Sequence, residues 1–150
     1  MSLRLAYTCH HDAIIKHMKI DKDELEKIRE KHNLLLIILH GSQVYGKTHP
    51  KSDVDIGVVR KDNKQKPRLL ELIKDLSKAF KTDKVDISDL THADPLLLYS
   101  AVRKSTLLAG KKADYDKLLR LAFHKYSDYL PFLKDEREFV IERIKSYVTN

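Results

Sequence analysis

Tryptophan is absent, cysteine occurs once, and glycine and proline number four each in 150 residues. A lone thiol, Cys9, forms no intrachain disulfide, so nothing in the chain calls for an oxidising compartment. No internal repeat, low-complexity tract or linker interrupts the text. The longest unbroken apolar run is Leu34 to Leu39, six residues, where a membrane span needs about 20 and a signal-peptide core at least about 7. The sequence therefore predicts a soluble, unsecreted protein with no membrane association, whose address is the cytoplasm.

What is present is aliphatic. Leu, Ile, Val and Phe account for 45 of the 150 residues, well above the roughly 20% below which chains tend to stay disordered. A chain of this length can bury about 68–70% of its unfolded surface, so one packed domain over 1–150 is the expectation. The net charge of +7 divides as +2, +1 and +4 over residues 1–50, 51–100 and 101–150. An excess so diffuse argues against nucleic acid as a partner. The local basic cluster Arg60, Lys61, Lys64, Lys66 and Arg68 is interrupted by Asp62 and has no aromatic residue among its members for a base to stack on. It reads as a solvated loop.

Along the chain, residues 1–20 suggest no more than a short helix around Ala13 to Met18. Asp21 can cap a helix over Asp23 to Arg29, with acidic residues in its first turn and basic ones at its end. Leu34 to Leu39 then suits a strand covered on both faces, terminated by Gly41. Val54-Asp55-Ile56-Gly57-Val58-Val59 is β-branched enough for a second strand. Pro67 opens a helix through Leu69, Leu70, Ile73, Leu76 and Phe80. Val85 to Ser88 alternates as a third strand. Asp94-Pro95 starts a helix expected to run past Ser105 to Gly110. The stripe Tyr115, Leu118, Leu119, Ala122, Phe123, Tyr126, Tyr129 predicts a further helix ending near Pro131, and Val140, Ile144, Tyr147 and Val148 a last one. The outline is a small α/β (α+β) domain with a core over about 21–110 and a helical C-terminal third, 111–150.

The segment His40-Gly41-Ser42 through Asp53-Val54-Asp55-Ile56 carries chemistry. A buried strand ending in Gly-Ser, followed by a helix start, would present free N–H groups and a hydroxyl to an anion. Asp53 and Asp55 flank one residue, so on a strand both carboxylates share a face while Val54 and Ile56 turn to the core. Carboxylates that close repel unless cations sit between them. Hard divalent ions such as Mg²⁺ take oxygen ligands and share them with phosphates, so the pair and the cradle together imply metal-assisted phosphate chemistry. On the third strand Asp86 points away from Val85 and Ile87 and is the candidate third carboxylate, while Asp89 falls on the opposite phase.

These residues, Gly41-Ser42, Asp53-x-Asp55 on an apolar strand and Asp86 on the next, resemble the nucleotidyltransferase superfamily of DNA polymerase β. The short length resembles the minimal nucleotidyltransferases, many of them antitoxins paired with HEPN toxins. The likeness covers Leu34 to Leu90, and Gln43-Val44-Tyr45 is bulkier and less basic than the text that often follows Gly-Ser in that family. The resemblance implies a small mixed sheet backed by helices. It further implies ATP bound with two Mg²⁺ ions, and transfer of AMP to a hydroxyl of a HEPN toxin with release of pyrophosphate. In those terms Asp53, Asp55 and Asp86 are catalytic and metal-holding, with Asp86 helping to deprotonate the acceptor, and Gly41 and Ser42 hold the triphosphate.

Other readings stand beside these. An isolated Asp-x-Asp is usually a turn or strand edge, but the Gly-Ser and Asp86 context makes function the better account. Ser42 can cap a helix and still donate to phosphate. Cys9, His10, His11 and His17 lack zinc-site spacing and read as surface. Arg120 and His124 imitate a HEPN ribonuclease pair at too short a gap, and the tyrosine stripe reads first as core packing. A non-catalytic antitoxin that neutralises its toxin by complex formation is the alternative function. Transfer to RNA or to a small molecule such as an aminoglycoside is disfavoured by the diffuse charge and the absence of an added substrate domain. The acceptor and the oligomeric state, monomer or oligomer, are left open by the sequence.

Overall fold

The strand Leu34–His40, β1, is the one around which the rest is arranged. Four of its seven residues, Leu36 to Leu39, are consecutive and buried, which requires cover on both faces. The computed structural model describes residues 20–41, 44, 53–62 and 68–148. Within these the order is α1 (Lys22–Lys31), β1, β2 (Val54–Arg60), α2 (Leu69–Phe80), β3 (Val85–Asp89), α3 (Pro95–Val102), β4 (Thr106–Ala109) and α4 (Lys112–Val148).

The sheet runs β3-β2-β1-β4. β1 pairs antiparallel with β2 on one side and with β4 on the other, and β2 pairs parallel with β3, so α2 serves as the crossover that a parallel pair needs. The sheet is mixed and backed by helices, as expected. On one face Leu34, Ile37, Leu39, Val54, Ile56 and Val58 pack against Leu25 and Ile28 of α1 and Leu72, Leu76 and Phe80 of α2. On the other, Leu36 and Ile38 meet Leu98, Ala101 and Val102 of α3 and Tyr115, Leu118 and Ala122 of α4. Burying an aliphatic side chain of this size is worth about 1.5–3 kcal/mol, and that gain, more than helix propensity, holds the short helices in place.

The N-caps expected at Asp21 and Asp94 are observed. Asp21 accepts from the Asp23 N–H at 2.9 Å. Asp94 accepts from the Leu96 and Leu97 N–H groups at 3.0 and 2.9 Å ahead of Pro95 at the first turn. Gly110 turns the chain at φ +112°, and its N–H donates to Glu26 at 2.6 Å, tying α1 to the β4–α4 corner.

Three expectations are corrected. The helix from Asp94 stops at Val102 rather than reaching Gly110, and Thr106–Ala109 is a fourth strand. Ser105 ends the helix by donating its hydroxyl to the Val102 carbonyl at 2.8 Å, and the next residues take the open edge of β1, a long-range gain no local signal announces. The two expected C-terminal helices are one, because α4 runs through Pro131. A proline removes one N–H donor, but the helix beyond it is almost entirely exposed, and the following text is rich in helix-favouring Lys, Glu and Arg. Arg60 is not part of a solvated loop: it closes β2 and is 8% exposed. The expected helix at Ala13 to Met18, the Cys9, His10, His11 and His17 group, Lys64, Lys66 and Pro67 lie outside the described residues.

Candidate active site

Three strands bring their polar residues to one end of the sheet. His40, the last residue of β1, lies opposite Asp55 of β2, and Asp55 lies opposite Asp86 of β3. Residues paired across a sheet project from the same face, so His40, Asp55 and Asp86 form one row. The face is that of Leu36 and Ile38, the one α3 and α4 cover. Val54, Ile56, Val85 and Ile87 turn to the opposite core, as the alternation predicted. The row is graded in exposure, with His40 and Asp55 half-buried and Asp86 open to solvent. Asp53 stands exposed just ahead of β2.

Gly41 leaves β1 at φ +77°, in the left-handed region that L side chains avoid. A Cβ there would overlap an Asp55 carboxylate oxygen and lie 2.9 Å from the carboxylate carbon. Glycine is thus required twice, for the turn and for the carboxylate packed against it, and Gly41 terminates the strand as expected. Ser42, the other expected phosphate ligand, lies outside the described residues.

The electrostatics follow from the packing. Burial raises the pKa of Asp55; His40 opposes that rise, and the carboxylates of Asp86 and Asp53 add to it. Burial lowers the pKa of His40, against the pull of Asp55 and Asp86. Asp55 is thus within electrostatic reach of His40, Asp86 and Asp53, and His40 of Asp55 and Asp86. The His40 Nε2 is buried without a hydrogen-bond partner among the described residues. His40 was missed in the sequence, although its signal was there: it shares the strand phase of Ile38 and directly precedes Gly41.

Asp89 falls on the other phase of β3, as expected, and does structural work. It sits 3.1 Å from the buried Arg60 guanidinium Nε and accepts from the Thr91 N–H at 3.0 Å. Arg120 and His124 are exposed on α4.

As donors, Asp53, Asp55 and Asp86 are hard carboxylate oxygens whose mutual repulsion a divalent cation would relieve, so the residues fit Mg²⁺ in kind. Among the described residues no three His, Cys, Asp or Glu side chains close into a ready-made metal cage. No helix among the described residues is long and apolar enough to cross a membrane.

Residues 23–114 match the family described as polymerase beta, nucleotidyltransferase. The protein adenylyltransferase MntA of Shewanella oneidensis is 30% identical over 129 residues, covering 86% of this chain and 85% of that one. A crystal structure of a toxin–antitoxin with AMP-PNP superposes at a TM-score of 0.63 and 26% identity, over 84% of this chain and 99% of that one. A tri-AMPylated Shewanella oneidensis HEPN toxin in complex with its MNT antitoxin gives a TM-score of 0.57 and 25% identity, over 83% and 95%. The matched stretch carries all four strands and every expected carboxylate, and on that ground the chain belongs to the polymerase β nucleotidyltransferase family.

Proposed function

We propose that this protein is a protein adenylyltransferase that moves AMP from ATP to a hydroxyl of a HEPN-type toxin and so acts as an antitoxin in the cytoplasm. The observation that carries the reading is the His40–Asp55–Asp86 row beside the bare backbone of Gly41. The relatives reported above, an adenylyltransferase and a complex of an AMPylated HEPN toxin with an MNT antitoxin, support the acceptor class. We assign the chemistry to about residues 21–110, with 111–150 as the helical part that follows.

Asp53, Asp55 and Asp86 would hold two Mg²⁺ ions, which supply charge neutralisation at the triphosphate. The chain's own groups do the rest. Gly41, with no side chain, admits phosphate to the backbone, and Ser42 is assigned a donated hydroxyl bond to the same group. Asp55, fixed between Gly41 and His40, sets the position of the phosphates against the row. The carboxylate of Asp86, at the open end, takes the proton of the incoming hydroxyl. That oxygen attacks the α-phosphorus, the bond from the α-phosphorus to the bridging oxygen breaks, and pyrophosphate leaves.

The test uses ATP labelled at either end with the co-expressed HEPN partner. Label at the α-phosphate should pass to the partner and label at the γ-phosphate should not. Transfer of the γ label would make the protein a kinase. Neutralisation of the toxin with no transfer of either label would make it a binding module that acts by complex formation.

A further inference from the structure

The row His40–Asp55–Asp86 ends at a strand edge. β3 is the last strand of the sheet on that side, and among the described residues nothing pairs along its outer flank. Its backbone parity is fixed by the ladder to β2. The Val54 N–H donates to the Lys84 carbonyl and the Leu90 N–H to the Val58 carbonyl, both at 2.8 Å, and a parallel ladder engages alternate residues of a strand. Lys84, Asp86, Ser88 and Leu90 therefore turn their backbone groups to β2, and the N–H and C=O groups of Val85 and Ile87 face outward. The side chains agree with an uncovered edge: Val85 and Ile87 are only partly buried, while their partners Val54 and Ile56 in β2 are 5% and 0% exposed. Asp86, between them, is exposed.

We propose that the acceptor polypeptide docks here as an added antiparallel strand, with the residue that carries the acceptor hydroxyl directly opposite Asp86. The proposal rests on the nucleotidyl-transfer reading and deepens it, because the carboxylate row says nothing about how a protein substrate is held. With Val85 and Ile87 supplying the outward bonds, Asp86 falls in a non-hydrogen-bonded pair, where facing Cα atoms stand about 4.5 Å apart and side chains approach most closely. Residues paired across a sheet share a face. The added residue thus becomes the fourth member of the row, beside the carboxylate that is open to solvent. Its two neighbours turn to the other face against Val85 and Ile87, which selects apolar residues on either side of the hydroxyl, while main-chain bonds supply affinity. Two carboxylates in the five residues of β3 set like charge against a second β3, so the edge favours a foreign segment over another copy of this chain.

Amide hydrogen exchange of the full-length protein would be followed at single residues of β3, alone at two concentrations and with the unmodified HEPN partner, without nucleotide. The partner should slow exchange at Val85 and Ile87 by about tenfold or more, because these N–H groups bond to nothing in β2. Unchanged exchange at both would overturn the proposal. Slowing that appears when the concentration of this protein alone is raised would also overturn it, and give the edge to self-association. Transfer of α-labelled AMP supplies the second readout. Val85→Pro removes an outward N–H at the first residue of β3, where a sheet tolerates proline, and should raise the KM for the protein acceptor about tenfold or more with the KM for ATP unchanged. Val85→Ala, which keeps the N–H, should raise it far less. An acceptor KM unaffected by Val85→Pro would overturn the proposal while transfer itself stands. A wild-type protein that transfers no label would overturn the nucleotidyl-transfer reading, and the acceptor role of this edge with it.

Discussion

The carboxylate of Asp55 occupies the space in which any residue but glycine at position 41 would carry its Cβ. The close fit joins the strand-ending turn to the middle of the carboxylate row, so backbone conformation and site geometry cannot vary independently. Gly41→Ala should cost about 1–3 kcal/mol for the left-handed φ and displace Asp55. Thermal unfolding should show the modest loss, and nucleotidyl transfer should fall far more than the stability does.

Asp86 and Asp89 stand three residues apart on β3 and should separate function from stability. Asp86→Ala removes an exposed carboxylate from the row and should leave the unfolding temperature close to wild type while transfer falls by about 10² or more. Asp89→Ala strips an ion-pair partner from the buried Arg60 and should lower stability by about 1–2 kcal/mol, with transfer per folded molecule retained. The reversed pattern would mean that the register of β3 against β2 is wrong.

Acid stability should depend on Asp75. Its carboxylate lies 2.6 Å from Lys31 Nζ and 2.8 Å from His32 Nε2, joining α2 to the end of α1, and these bonds hold its pKa below the ordinary value. A group ionised more easily in the folded state stabilises the fold above its unfolded pKa and loses that contribution as pH falls through the folded one. Asp75→Asn should therefore unfold more easily by about 1–2 kcal/mol at neutral pH, and the gap should close as pH falls through the lowered folded-state pKa and be gone below it. A gap that persists there would assign the loss to packing.

ATP and Mg²⁺ together should raise the unfolding temperature, with Mg²⁺ alone having little effect. ATP should give no comparable shift in the presence of a chelator. An equal shift there would place the nucleotide away from Asp53, Asp55 and Asp86.

Much of the site was readable because it depends on local rules. Strand alternation sets Asp55 apart from Val54 and Ile56, and Asp86 apart from Val85 and Ile87, while the glycine at 41 marks the turn. Features set by distant partners were not readable. Thr106–Ala109 is four residues long and becomes a strand only against β1. Arg60 is buried because Asp89 and Thr91 meet it across the sheet. Tyr126 is assigned to a core by its spacing, yet stacking on Tyr99 leaves it lining a groove. His40 looks like an ordinary strand end until register sets it opposite Asp55.

The most direct measurement is transfer of α-labelled AMP to the HEPN partner by Asp53→Asn and Asp55→Asn, each checked for folding by thermal unfolding. An amide keeps the shape of the carboxylate but is a much poorer ligand for a hard cation. Both variants should unfold at or slightly above the wild-type temperature, since repulsion within the carboxylate cluster is relieved, and both should lose at least about 10² in transfer. Turnover at the wild-type rate in either variant would contradict the assignment of this carboxylate cluster as the nucleotidyl-transfer site.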